Sequence, residues 1–183
     1  MPEADKKVVL GVTGSIAAYK AADLVRGLQK QGRDVWVVMT ACATQYVGPL
    51  TFRALTGHPV ACGTFAEREP ETYTHLTLAD GAAAMVVAPC SAQTLARLAH
   101  GFAEDMLSGA ALALTAPLIV APAMNTRMWR NAAVQENVAV LRRRGAVIVT
   151  PGAGDLACGE IGEGRLAEPE AILNAVAAAV DAD

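Results

Sequence analysis

Asn125 is the residue whose setting suggests chemistry first. The apolar run Leu118-Ile119-Val120-Ala121 leads directly into Pro122-Ala123-Met124-Asn125-Thr126-Arg127-Met128-Trp129. Such a run reads as a buried strand, and in open α/β sheets ligands collect beyond the carboxyl ends of strands. There an amide side chain can donate to a carboxylate and accept from a donor, while Met124 can pack against a flat ring. Asn125 also suits the N-cap of a helix starting near Met128, and the two roles are compatible. A second candidate is His75, in Thr74-His75-Leu76-Thr77-Leu78 between a loop and an apolar segment. An imidazole with an ordinary pKa of about 6.5 is suited to proton transfer at neutral pH. The third is Cys158, inside a segment from Gly152 to Arg165 that is glycine-rich and too polar for a core strand. A segment of this kind can open and close over a site. His58 and His100 read as capping or partly buried histidines, and Cys42, Cys62 and Cys90 as small apolar residues.

The elements that must position these groups alternate in type. Val8 to Thr13 reads as a buried strand, followed by Gly14-Ser15 and a helix with Ile16, Ala21, Leu24, Val25 and Leu28 at helical spacing, stopped by Gly32. Val35 to Thr40 is a second strand. Ala41 to Gly57 looks helical but broken at Gly48-Pro49, and Pro59 to Thr74 mostly loop. Ala84 to Ala88 forms a third strand ending at Pro89, then Cys90-Ser91 opens a helix with Leu95, Leu98 and Phe102. A helix from about Asp105 to Leu114 precedes the strand ending at Pro122. Met128 to Arg144 is helical, Val147-Ile148-Val149 a short strand, and Pro169 opens a last helix with Ile172, Leu173, Val176 and Val180 on one side. Strands alternating with helices imply a mostly parallel sheet covered on both faces. The expected fold is therefore α/β, a Rossmann-like (flavodoxin-like) three-layer sandwich in a single domain over residues 1–183.

Gly11-Val12-Thr13-Gly14-Ser15-Ile16 approaches a dinucleotide fingerprint but lacks its third glycine, and the second strand ends in Thr40 where an acidic residue would hold an adenosine ribose. Both departures weigh against NAD. A mononucleotide such as FMN needs only phosphate and ring contacts, which a helix N-terminus and short hydroxyls can supply. Ser15, Thr40, Thr44, Ser91 and Ser108 are hydroxyls near strand or helix ends. Taken singly each is an ordinary turn or cap residue.

Composition narrows the classes further. Of 183 residues 53% are hydrophobic and only 18% charged, so part of the surface is expected to be buried against other subunits. The net charge of −3 and a single basic tract, Arg142-Arg143-Arg144, argue against nucleic acid. Those arginines precede Gly145 and can complement a helix C-terminus. The cysteines form no C-x-x-C pair and no H-E-x-x-H occurs, so no metal site is expected. Met1 to Lys7 lack a signal-peptide core, no run reaches membrane-spanning length, and the expected compartment is the cytoplasm.

Pro122 to Trp129 resembles the Pro-x-Met-Asn-x-x-Met-Trp signature of the flavin-dependent cysteine decarboxylases. Gly-Ser-Ile-Ala-Ala-Tyr-Lys at 14–20 is similar to that family's flavin-binding opening, and His75 matches its His-x-x-Leu segment. The Leu156-Ala157-Cys158-Gly159 setting looks like the substrate-recognition flap of phosphopantothenoylcysteine decarboxylases within the family. The resemblance, running from about residue 8 to residue 180, implies FMN as cofactor, with Gly14, Ser15, Thr40, Thr44, Ser91, Ser108 and Met124 as its contacts. It implies His75 as base, Asn125 as holder of the substrate carboxylate and Cys158 as proton donor. It also implies decarboxylation of 4′-phosphopantothenoylcysteine to 4′-phosphopantetheine in coenzyme A biosynthesis, by thiol oxidation, loss of carbon dioxide and re-reduction of the enethiol. Sites between subunits of a homotrimer, with trimers assembling further to a dodecamer, and a link to a phosphopantothenate-cysteine ligase are implied as well. Two departures stand out: Gly81-Ala82-Ala83 replaces the family's usual Trp-Ala-Asp, and Cys90 its usual alanine.

Three other readings compete. A lantibiotic-type peptidyl-cysteine decarboxylase would stop at the enethiol and would not need Cys158. A flavin prenyltransferase is not known for this asparagine motif followed by a cysteine flap. A non-catalytic flavin-binding regulatory subunit tends to carry a long acidic tail and to lose part of the set His75, Asn125 and Cys158.

Overall fold

The computed structural model describes residues 7–64, 75–155, 159 and 161–181. Among them a six-stranded parallel sheet runs in the order β3-β2-β1-β4-β5-β6. Its strands are β1 (Lys7–Val12), β2 (Asp34–Met39), β3 (Ala61–Cys62), β4 (Ala84–Cys90), β5 (Leu118–Pro122) and β6 (Val147–Ile148). Without the two-residue edge strand β3 the order is that of a flavodoxin, and with it that of a dinucleotide-binding sheet. The expected three-layer sandwich is what forms.

β1 and β4 lie at the centre, and β4 is buried at every residue. Both faces of these strands are covered, which explains their continuous apolar sequence. Alternate side chains feed two separate cores. Val8, Leu10, Val37, Val86 and Ile119 meet Leu24 and Leu28 of α1 (Ala21–Lys30), Phe52 of α2 (Pro49–Thr56), and Ile172 and Val176 of α8 (Pro169–Val180). On the other face Val9, Val38, Met85, Val87 and Val120 meet four helices. These are α3 (His75–Ala79), α4 (Ala92–His100), α5 (Met106–Ala113) and α7 (Ala132–Arg143), joined by Trp129 from the short α6 (Thr126–Trp129). Gly11 serves this packing: a Cβ there would press on Leu107 of α5 at 3.0 Å. The near-fingerprint glycine thus admits a helix.

Four departures from the expected elements have local causes. The first helix begins as a 3-10 turn, Ile16–Lys20, capped by Ser15, and only then becomes α1. The Pro59–Thr74 region contributes β3, too short to leave a sequence signal; residues 65–74 lie outside the described residues. Met128 to Arg144 is two helices, α6 (Thr126–Trp129) and α7, because Asn131 breaks the run and caps α7, accepting from Ala133 N–H at 3.0 Å. The glycine-rich segment forms an antiparallel ribbon, β7 (Gly152–Asp155) with β8 (Ile161–Arg165), instead of a loop. At the end of α7 the arginine tract behaves as its position suggests: Gly145 is left-handed and the Arg144 guanidinium donates to the Ala99 carbonyl at 2.7 Å.

Candidate functional site

The order of strands reverses between β1 and β4, and the loops leaving their carboxyl ends part there. Thr13, fully buried, pins the two together: its hydroxyl donates to the Pro89 carbonyl at 2.7 Å and accepts from Ser91 N–H at 2.8 Å. Sequence reading passed over this residue, although a hydroxyl ending an otherwise apolar strand was the available signal. Above it opens a cleft of about 660 Å³, lined by Gly14, Ser15, Ser91, Met124 and Asn125, all expected there. Tyr19, Lys20, Tyr46 and Arg165 line it as well and were not singled out from sequence. Lys20 and Tyr19 belong to the same quoted 14–20 segment, which was the signal. The volume lies within the range of about 300–1,000 Å³ typical of small-molecule sites.

Each wall follows from local structure. Ser15 accepts from Ala17 N–H at 3.2 Å as the N-cap of the 3-10 turn. Gly14 has to be glycine, because a Cβ there would overlap the Cys42 sulfur. Ser91 is the N-cap of the nine-residue α4, accepting from Thr94 N–H at 3.3 Å, so a helix N-terminus faces the cleft. Asn125 caps α6 through Oδ1, which accepts from Arg127 N–H at 2.8 Å. That bond turns the acceptor end of the amide into the helix and its donor end away from it.

The β7–β8 ribbon is fastened to the asparagine segment. Met124 N–H donates to the Gly164 carbonyl at 2.9 Å and Thr126 Oγ1 to the Glu163 carbonyl at 2.6 Å. Gly164 (φ +121°) approaches so closely that a Cβ would collide with the Met124 carbonyl oxygen. The expected open-and-shut flap is therefore anchored along β8. Cys158 lies outside the described residues, as do residues 156, 157 and 160.

The remaining expected residues are not brought to the cleft. Thr40 is buried and accepts from Ala43 N–H at 3.2 Å, and Thr44 donates to the Ala41 carbonyl at 2.8 Å. Ser108 is buried in a capping box with Asp105, its hydroxyl 2.7 Å from Oδ1. Both threonines and this serine serve the backbone beside them. His75 opens α3 on another face, where it lines a hollow of about 370 Å³ with Ala103, Gly109, Leu112 and Ala113. One chain thus holds Asn125 and His75 in different places. Both places carry exposed apolar side chains: Ile16, Tyr19, Tyr46 and Met128 beside the cleft, Leu76 and Leu112 beside His75.

The other thiols differ among themselves. Cys90 is fully buried and its thiol is pushed up by burial, so it stays neutral and packs as expected. Cys42 is exposed at the rim of Gly14, contrary to its expected role as a small apolar residue. His58 is half-buried as expected, its Nε2 2.7 Å from Asp34 Oδ1, whereas His100 at the end of α4 is exposed, its Nε2 3.0 Å from Asn137 Oδ1.

Comparison with known proteins accords with this architecture. The family model described as Flavoprotein matches residues 2–181. The chain belongs to the flavoprotein family. It is 44% identical over 173 residues to the probable phosphopantothenoylcysteine decarboxylase of Streptococcus mutans, covering 93% of this chain and 97% of that protein. It is 46% identical over 166 residues to the coenzyme A biosynthesis bifunctional protein CoaBC of Vibrio vulnificus, covering 91% of this chain and 41% of that one. The chain thus spans about two fifths of the length of the bifunctional relatives it matches. Among solved structures, a mutant PPC decarboxylase complexed with pantothenoylaminoethenethiol superposes with a TM-score of 0.81 at 30% identity, over 93% of this chain and 96% of that one. The FMN-dependent cysteine decarboxylase SpaF superposes with a TM-score of 0.79 at 33% identity, over 97% and 98%.

Among the described residues no helix is long and apolar enough to cross a membrane.

Proposed function

We propose that this chain binds FMN in the cleft and decarboxylates 4′-phosphopantothenoylcysteine to 4′-phosphopantetheine, a step of coenzyme A biosynthesis carried out in the cytoplasm. The observation that carries the reading is the meeting of Gly14-Ser15, Ser91 and Met124-Asn125 in one cleft at the strand switch point, with β8 fastened over the asparagine. The relative of matching length supports the same substrate.

The residues present fit a flavin. Met124, Ile16 and Tyr46 offer apolar surface to a ring, and the Ser15 and Ser91 caps with the α4 N-terminus offer donors to a phosphate. When bound, FMN supplies the two-electron oxidation of the thiol-bearing carbon and later the return of hydride, so that turnover involves no net redox change. The chain's own groups handle charge and protons. The Asn125 amide donates to the substrate carboxylate and holds it in the cleft. His75 takes the thiol proton, and after carbon dioxide leaves, Cys158 donates a proton to the enethiol carbon. Thr40, Thr44 and Ser108 support the site through the backbone they cap.

Since one chain separates His75 from Asn125, the working site is assembled from two copies, the α3–α5 face of one meeting the cleft of the next. Two different faces joined in this way make a head-to-tail contact, which closes into a ring such as a trimer. Pairing with a ligase, on the same or another chain, would supply the substrate.

Mass spectrometry of the purified protein with 4′-phosphopantothenoylcysteine and no added electron donor tests the reading. The saturated thiol is the expected product, and Cys158→Ala is expected to release carbon dioxide but stall at the enethiol. No conversion by a yellow, folded protein would overturn the assignment in favour of a peptide substrate or a binding role.

A further inference from the structure

Among the described residues the helix that carries His75 spans His75–Ala79. It is held from outside. Lys7 Nζ, from the first residue of β1, donates to the carbonyls of Thr77 and Asp80 at 2.7 and 2.8 Å, at the carboxyl end of α3. A cation there satisfies orphan carbonyls and complements the helix dipole. The next turn adds no wedge of its own: Gly81 is left-handed, with nothing within 4 Å of where its Cβ would lie, and Ala82 and Ala83 are small. Ala83 N–H is itself tied back to the Lys7 carbonyl at 2.8 Å.

Lys7 is fixed in turn by a cluster on β2. Its ammonium lies 5.2 Å from the centre of the Trp36 ring. Trp36 Nε1 donates to Asp34 Oδ2 at 2.7 Å, and His58 stacks on the indole with centroids 4.1 Å apart while its Nε2 lies 2.7 Å from Asp34 Oδ1. Trp36 and Ala82 pack against the same core as Leu78 of α3. A continuous set of contacts therefore runs from β2 through one ammonium group to the helix that bears the histidine.

We propose that Lys7 is a positioning residue for His75: it sets the direction of α3, and so the approach of the imidazole to the substrate thiol, without touching substrate or cofactor. The proposal rests on the role given to His75 above. The Trp36–Asp34–His58 cluster keeps the ammonium in place, and it takes over the bracing that Gly81-Ala82-Ala83 does not provide.

The test compares Lys7→Met and Lys7→Arg with the wild-type FMN-loaded protein by steady-state kinetics, FMN retention and amide hydrogen exchange in α3. Misplacing a catalytic group by about 1 Å costs on the order of a hundredfold, so kcat of Lys7→Met is expected to fall by roughly ten- to a hundredfold. KM and FMN retention should stay within about twofold, because the cleft is untouched. Exchange at Leu78 to Asp80 should quicken, and Lys7→Arg, which keeps a donor, should recover most of kcat. Should Lys7→Met not fold, Trp36→Leu removes the platform under the ammonium and is expected to show the same pattern, weakened. Unchanged kcat beside faster exchange would overturn the proposal, as would a parallel loss of kcat, KM, FMN and thermal stability without rescue by arginine. If the wild type converted no cysteinyl substrate, the role of His75 would fall first, whereas normal wild-type turnover with undiminished Lys7→Met turnover would sink this proposal alone.

Discussion

The cleft face and the α3–α5 face reach similar exposure of apolar side chains by different routes. At the cleft, three strand ends and an anchored ribbon are bound together by short hydrogen bonds, with Thr13 beneath and Gly164 above. At the other face α3 carries the histidine, and its carboxyl end is steadied by a lysine from another strand. The first region is shaped by the sheet and keeps its form in one chain. The second is the outer side of α3, where exposed Leu76 stands beside His75 while Leu78 is buried beneath. Holding groups belong on the stiff region, where geometry is preset, and a proton-transfer group can arrive with a neighbouring copy.

The sharpest way to break this division of labour is Asn125→Asp. Aspartate preserves the cap on α6 but sets a carboxylate against the substrate's own, and turnover is expected to drop by roughly a thousandfold in a folded, yellow protein. Normal activity, measured by release of carbon dioxide, would remove the residue from its role. His75→Ala should be comparably impaired, yet mixing it with Asn125→Asp should restore about a quarter of wild-type activity if subunits exchange at random, since one contact in four then joins two intact halves. Absence of recovery after verified exchange would place both groups in one chain after all.

A smaller effect probes the ribbon. Gly164→Ala puts a Cβ into the Met124 carbonyl at φ +121° and is expected to cost about 2 kcal/mol or more, with weaker FMN retention. Gly57→Ala, left-handed at φ +75° but with open space around it, should cost only about 1 kcal/mol and leave FMN alone. Denaturant unfolding and flavin absorbance separate the two, and equal behaviour would mean the ribbon is not held as described.

The smallest effect belongs to the cluster behind α3. Burial would raise the Asp34 carboxyl, but the hydrogen bonds from His58 and Trp36 and the nearby charges of His58 and Lys7 outweigh it and hold it below the ordinary 3.8. A depressed carboxylate stabilises the fold above the unfolded value, and that contribution disappears as pH falls through the folded one. Thermal unfolding between pH 6 and 3 should therefore show a loss of stability below about pH 4 that is shallower in Asp34→Asn. An identical slope in the variant would deny Asp34 any part in it.

Much of the sheet could be read before the structure because its central strands are buried on both faces and so appear as unbroken apolar runs, as at Val8 to Val12 and Ala84 to Ala88. The β7–β8 ribbon could not, since four of its nine residues are glycine, so no alternation of apolar side chains marks it, and its ladder uses backbone alone. In the site, Gly14, Ser15, Ser91, Met124 and Asn125 were legible because each follows directly on a strand whose end was clear. Thr40 and Thr44 follow β2 and Ser108 lies in the first turn of α5, but all three serve local backbone, and residue type does not separate such a hydroxyl from one that faces a ligand. The distance between His75 and the cleft was not legible from the pattern of residues, and only the family resemblance, with its sites between subunits, pointed to it. Sequence periodicity describes how a chain packs on itself and carries no record of how copies meet.

The hydroxyl of Thr13 has a consequence for how the cofactor gets in. One oxygen stitches the ends of β1 and β4 from both sides, so the strands cannot splay at the switch point without losing two hydrogen bonds together. A flat ring has no route through that floor. It has to enter from the open side of the cleft, so if a second copy docks there as proposed above, loading of the cofactor and assembly would compete for the same doorway.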